Sequence, residues 1–222
     1  MPPQEKRKKE KENKRNNILK AARKLFFDRG FKAVTVDSIA AKAGVSKGSI
    51  YLYFDSKEEI YAQVLIADNI DHHQDLLYFE TKDAPAADLL LEYSERYVNN
   101  FLNDKELFRI LMTFMLQTEQ MNLTPQQNAE LIRTTNDNIR FISGILQKGI
   151  DAGEFLPTID VRHTQNAIWG LLNGIISLFL FLGNPARRAE KIHGLVKDSL
   201  GMFIKGLKKQ ISPEPSFSSL PK

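Results

Sequence analysis

Residues 36–54 read Val36-Asp-Ser-Ile-Ala-Ala-Lys-Ala-Gly-Val-Ser-Lys-Gly-Ser-Ile-Tyr-Leu-Tyr-Phe54, and this stretch decides the fold. Its spacing predicts two short helices, 36–43 and 47–54, joined by a tight turn. A helix-turn-helix needs a small residue where the helices cross, a residue tolerant of positive φ in the turn, and apolar residues facing the core. Ala40 is the crossing residue, Gly44 the turn, and Ile39, Ala43, Val45, Ile50 and Phe54 the inward set. Ser46 stands where the second helix needs an N-cap. That helix opens with Lys47, Gly48 and Ser49, short or flexible enough to bring backbone amides near phosphates. Its first turns would then meet base edges in a major groove. Tyr51 and Tyr53, flanking Leu52, carry hydroxyls suited to phosphate hydrogen bonds.

Many helix pairs share a glycine turn without meeting nucleic acid, so charge has to separate the two readings. Residues 1–60 hold 15 Lys and Arg against 8 Asp and Glu, whereas residues 61–222 hold 16 against 19. A net charge of +4 over 222 residues therefore hides a basic first quarter on a slightly acidic remainder. Such polarity fits a polyanion-binding module joined to a part that does not touch the polyanion. Double-stranded DNA is the expected partner.

Working outward, Ile18, Ala22, Leu25 and Phe26 recur on one face and make 16–29 a first amphipathic helix, ended by Gly30. The mixed-sign run before it reads as a basic disordered arm, residues 1–15. Ser56 with Glu59 is a capping box that starts a fourth, linking helix. Further helices are expected at about 85–103, 105–120, 125–151 (Thr124 cap, Pro125 at N1, Gln127 closing a box), 161–182 (Asp160 cap) and 186–209. No stretch alternates with the period a sheet requires, so the fold class is all-α. The domains are a helix-turn-helix unit at 16–60 and a helical effector-binding and dimerisation unit at 61–210. The Pro- and Ser-rich stretch 211–222 reads as a disordered tail.

The residues Gly30-Phe31, Thr35-Val36, Ile39-Ala40, Ala43 to Tyr51, Tyr53-Phe54 and Ser56 to Glu59 together resemble the N-terminal domain of the TetR family of bacterial transcriptional regulators. The match runs from about Ile18 to Ile60. The resemblance implies that Thr35 caps the second helix and touches phosphate, that Ser46, Lys47, Gly48, Ser49 and Leu52 face the groove, and that Tyr51 and Tyr53 contact the backbone. It also implies that Lys57 binds phosphate at the start of the fourth helix. Val34 departs from the pattern, which often has Thr there. Beyond residue 60 the resemblance is one of helix number and length.

The absence of cysteine excludes disulfide scaffolds, thiol catalysis and cysteine-ligated metals, and fits a reducing cytoplasm. The charged N-terminus is not a secretory signal. His72, His73, His163 and His193 do not fall at metal-ligand spacing, and no nucleophile elbow is present, so no metal, cofactor or catalytic residue is expected. The later part carries instead an aromatic and methionine surplus. Tyr93, Tyr97, Phe108, Met112, Met115, Phe141 and Trp169, interleaved with Asn138 and Asn173, suit a pocket for an apolar or amphipathic effector. Each position alone reads more often as ordinary core than as pocket lining; together they suit a pocket.

The run from Ala167 to Gly183 is nearly all apolar but short for a bilayer, and Asn173 and Ser177 interrupt it. Burial between helices, not a membrane, is expected. It is more than one chain's core can cover, so Gly170, Gly174 and Leu178 are assigned to a dimer interface. Leu195, Ser199 and Phe203 join them, on a stripe that also holds Ile192, Val196 and Leu207. The sum is a homodimeric, ligand-responsive repressor on a near-palindromic operator. Two alternatives stand beside it: a DNA-binding regulator controlled by a protein partner, and an all-α enzyme carrying a helix-turn-helix.

Overall fold

The computed structural model describes residues 3–69, 78–79, 81–117, 123–181 and 184–208. Its named elements are all helices: α1 (Pro3–Ala33), α2 (Val36–Ala43), α3 (Lys47–Tyr51), α4 (Lys57–Asn69), α5 (Ala86–Asn103), α6 (Lys105–Gln117), α7 (Pro125–Asp151), α8 (Val161–Phe179) and α9 (Pro185–Leu207). The all-α expectation holds, with one isolated bridge, Phe155 to Lys208, as the only extended pairing among the described residues. No described helix is long and apolar enough to cross a membrane.

Two boundaries differ from the sequence reading. Residues 3–15 are helical and continue α1 toward the N-terminus, where a disordered arm is expected. The physical reason lies in the composition: apart from Pro3 and Asn13 the segment is built of Lys, Arg, Glu and Gln, all good helix formers. Glu5 with Lys9 and Glu10 with Lys14 also form i,i+4 pairs of the favourable polarity. The second difference is α3, which ends at Tyr51, where a helix to Phe54 is expected. The chain instead turns back, with the amides of Tyr53 and Phe54 both donating to the Ile50 carbonyl at 2.9 and 3.0 Å. The expected tail, 211–222, lies outside the described residues, as do His72, His73, Leu182 and Gly183.

The helix starts follow the side chains that cap them. Thr35 and Ser38 form a reciprocal box on α2, Thr124 and Gln127 another on α7, and Asp160 accepts from the His163 amide on α8. At α4, Ser56 accepts from the Glu59 amide at 3.0 Å, while the Glu59 carboxylate reaches one residue further back, to the Asp55 amide at 2.5 Å. Helix α5 has only Pro85 at its start and no local cap. A distant residue replaces it: the Glu154 carboxylate accepts from the amides of Ala86 and Ala87 at 2.6 and 3.1 Å. A carboxylate there also meets the positive end of the helix dipole.

The packing order places a head of α1–α3 and the start of α4 on a body of α5–α9. Helix α1 packs on α2, α4 and α6, and α7 lies between α4, α5 and α8. Helices α8 and α9 pair with each other and both touch α5. One ring system fastens head to body. Tyr61, fully buried on α4, lies edge-on to Phe26 and Phe31 of the α1 segment and donates its hydroxyl to the Ile110 carbonyl of α6 at 2.6 Å. Arg23 pairs with Asp104, and Lys24 with Glu106 at 2.8 Å, along the same seam. These cross-links make the head's orientation depend on α6.

Candidate functional site

The head's surface is built from local rules. Gly44 takes φ 68°, ψ 34°, a left-handed conformation that costs glycine nothing and a side-chain residue more. Its amide closes α2 onto Ala40 and Ala41, and the chain reverses into Ser46. The Ser46 hydroxyl accepts from the Ser49 amide at 3.1 Å, so the cap places the first turn of α3 at the surface. Asn17 of α1 donates to the Ala43 carbonyl at 3.0 Å and ties the turn to the first helix. Of the inward set, Ile39, Ala43, Ile50 and Phe54 are buried, and Val45 is half-buried against the same core.

Around this turn the structure brings together Thr35, Ser46, Lys47, Gly48, Ser49, Tyr51 and Leu52, all exposed or half-buried. Leu52 is 75% exposed and Tyr51 49%, and both stand beside the polar residues of the turn. Tyr53 is half-buried, its ring tilted on Phe54. Lys57 stands differently from its sequence reading. Its ammonium donates to the Phe31 carbonyl at 3.0 Å and lies 4.2 Å from that ring's centroid, so it is turned onto the head.

Lys47 is also engaged. Its Nζ donates to Asp37 Oδ2 at 2.9 Å, which spans the first turns of α2 and α3 and holds the lysine pKa above its ordinary value. Both side chains are more than half exposed, so the pair is weak and easily exchanged for a phosphate. Asp37→Asn should therefore raise affinity for a random-sequence duplex by about two- to five-fold. The gain should vanish when Lys47→Ala is also present. An equal gain in both backgrounds, measured by fluorescence anisotropy, would mean that Asp37 acts only through overall charge.

In the body, Tyr93 stacks at 6.0 Å on both Tyr97 and Phe141, Tyr97 lies edge-on to Phe101, and Phe101 to Phe108. Within this aromatic row sits one polar pair. The Tyr97 hydroxyl donates to Asn173 Oδ1 at 3.0 Å, and Asn173 Nδ2 donates to the Trp169 carbonyl at 2.8 Å. Burial raises the Tyr97 pKa well above the ordinary tyrosine value, so this hydroxyl stays a donor. Met112 and Trp169 are half-buried against the same core. Met115, on the last turn of α6, is 42% exposed and stands apart from that core. The side chain of Asn138 lies outside the described residues.

Helices α8 and α9 present a second surface. Gly170 and Gly174 are exposed, with open space where a Cβ would stand, and Leu178 is 60% exposed on the same face. On α9, Leu195 is exposed and Ser199 and Phe203 are half-buried. The expected single outward stripe of α9 needs correction. Ile192, Val196 and Leu207 are buried within the protomer with Leu200 and Ile204, because that face packs against α5 and α8. The sequence reading missed Tyr61, whose only signal is an aromatic beside Ile60 on a helix core face. It also missed Glu154, for which no local signal exists. Among the described residues no group of three or more His, Asp or Glu is placed to hold a metal.

The chain is similar to known proteins over most of its length. Residues 18–64 match the family described as bacterial regulatory proteins, tetR family, and residues 83–177 match a tetracyclin repressor-like C-terminal domain. The HTH-type transcriptional repressor KstR2 of Mycolicibacterium smegmatis is 31% identical over 168 residues, 71% of this chain and 77% of that protein. The fatty acid metabolism regulator protein of Bacillus subtilis is 28% identical over 173 residues, 78% of this chain and 86% of that protein. Among solved structures, the regulator FadR from Bacillus subtilis in complex with stearoyl-CoA superposes with a TM-score of 0.70 at 21% identity, covering 86% of this chain and 98% of that one. These relatives are named as regulators. A capped helix-turn-helix on a helical body, and a KstR2 likeness that runs well past the head, have one common explanation: the chain belongs to the TetR family of bacterial regulatory proteins.

Proposed function

We propose that the protein is a homodimeric transcriptional repressor, not an enzyme, that binds a near-palindromic operator and is released by a small apolar or amphipathic effector. The observation that carries the DNA half is α3, whose Ser46 cap and exposed Tyr51 and Leu52 leave a reading surface on a head otherwise closed on its own core. We assign residues 16–60 to that head and 61–210 to sensing and dimerisation. Thr35, Ser46, Lys47, Gly48, Ser49, Tyr51, Leu52 and Tyr53 meet the duplex, and Lys57 joins them by leaving Phe31.

The effector half is supported by the hydrogen bond from the partly buried Tyr97 to the buried Asn173, a donor and acceptor inside an aromatic row. Apolar walls with few polar groups suit a ligand that has a hydrocarbon body and one polar function. A relative named for fatty acid metabolism and a solved relative holding stearoyl-CoA make a long-chain acyl-CoA thioester the effector class of choice.

The test titrates the full chain with stearoyl-CoA, octanoyl-CoA and free CoA, reading the fluorescence of Trp169, the sole tryptophan, alongside operator affinity. Ligand and DNA must compete by the same factor in each direction, since linkage is reciprocal. Operator affinity should fall at least ten-fold over the range in which fluorescence changes, for the long acyl chain and not for free CoA. A fluorescence change with unaltered DNA affinity would sink the acyl-CoA assignment.

A further inference from the structure

Residues 3–15 are a helix, and that fact decides what their charges can do. At 100° per residue, Arg7, Lys8, Lys11, Lys14 and Arg15 fall on one stripe about 120° wide. Glu5, Glu10 and Glu12 fall beside it, and Lys6 and Lys9 on the opposite side. The stripe continues the line of Ile18, Ala22 and Leu25, the face that α1 buries in the head. The same face of one helix is thus apolar where the head covers it and cationic from Arg15 back to Arg7. Arg15 marks the junction: it donates to Gln63 of α4 at 2.5 Å, and its guanidinium lies 5.3 Å from the ring centroid of Phe54, three residues past α3. Every residue from Gln4 to Lys14 is exposed.

We propose that this stripe is a second DNA surface, a rod that follows the phosphate backbone flanking the operator without reading bases. The proposal rests on the reading that α3 meets DNA. In the homeodomain, another three-helix head, the chain preceding the first helix reaches the duplex beside the recognition helix, and Arg15 at the base of this rod sits next to Phe54, just past α3. An extended arm there could enter the minor groove, but a helix about 10 Å across cannot enter a groove about 6 Å wide. Its cations therefore meet phosphates. From Arg7 to Lys14 the helix rises about 10 Å, the length of roughly three base pairs, so the contact adds about three base pairs of unspecified sequence to each half-site.

The experiment selects an operator from a random duplex library with the full chain, then compares two variants of equal charge, Lys8→Gln/Lys11→Gln on the stripe and Lys6→Gln/Lys9→Gln off it. The stripe variant should lose about ten-fold or more in affinity at 0.15 M salt, with the slope of log K against log salt shallower by about two per protomer. The off-stripe variant should lose less than two-fold. Trimming three base pairs from each flank should reproduce the stripe loss, whatever their sequence. Equal losses in both variants, or no loss in either, would overturn the proposal. So would a loss that depends on the flanking bases, which is the mark of an unwound arm in the minor groove. Circular dichroism at 222 nm should be the same for both variants, so that a lost helix is not mistaken for a lost contact. If the unaltered chain selects no duplex, it is the DNA reading of α3 that fails.

Discussion

Gly149→Ala is expected to lower the thermal midpoint by roughly 5–10 °C, although alanine is the better helix former by about 1 kcal/mol. A Cβ at Gly149 would stand 2.3 and 2.5 Å from the Phe155 ring and 2.8 Å from the Ala86 Cβ, distances at which something must move. The ring has nowhere to go. Phe155 is 1% exposed, and its segment is pinned on both sides, by the Leu156 amide on the Leu207 carbonyl at 2.9 Å and by Glu154 capping α5. Overpacking of this kind costs about 3 kcal/mol or more where relief is blocked, so a net loss of about 2 kcal/mol or more remains after the helix gain. Phe155→Leu should recover part of the loss in the Gly149→Ala background while destabilising the unaltered chain. Calorimetry on the four proteins of that cycle measures the coupling. A midpoint unchanged or raised in Gly149→Ala would show that the α5–α7–α9 corner is looser than its contacts indicate.

What the sequence makes legible is what acts over short range. Thr35 with Ser38, Thr124 with Gln127, Ser46 with Ser49 and the turn at Gly44 are all settled within three or four residues, and the head can be read residue by residue from them. Helix α8 is legible for a different reason. With Ile168, Leu172 and Ile176 on one side and Gly170, Gly174 and Leu178 on the other, its composition alone demands two neighbours. Contacts between distant residues leave no such trace. Lys57 reaches Phe31 across 26 positions, and Glu154 caps α5 across 68; nothing near either glutamate or lysine announces it. The extension of α1 is hidden differently. A run of mixed charges reads as a solvated tail, and only the placement of Glu5 and Glu10 four residues before Lys9 and Lys14 favours helix. In the body, burial separates Phe108 from Met115, two large apolar residues of α6 whose sequence context alone does not tell them apart.

Leu178→Arg is expected to produce a monomer of 25.3 kDa and to cost at least 100-fold in operator affinity. The position is chosen because Leu178 is 60% exposed in the protomer, so an arginine there disturbs no internal packing. The face around it, Gly170, Gly174 and Leu178 on α8 with Leu195 and Met202 on α9, leaves bare apolar surface on two adjacent helices. In the proposed dimer, two such helices from each chain would close into a four-helix bundle about a two-fold axis, in which the glycines let the backbones approach. An arginine in that seam would bury a charge against the partner's apolar face, a cost that such a contact does not repay. Loss of the dimer removes the linkage between half-sites. Each head must then bind alone, and the effective concentration that made the second contact intramolecular disappears. Affinity for a random-sequence duplex should fall much less, because the head itself is untouched. Light scattering with anisotropy on both duplexes distinguishes the outcomes. A variant that stays dimeric places the interface elsewhere, and one that becomes monomeric yet keeps full operator affinity would show that each head recognises its half-site unaided.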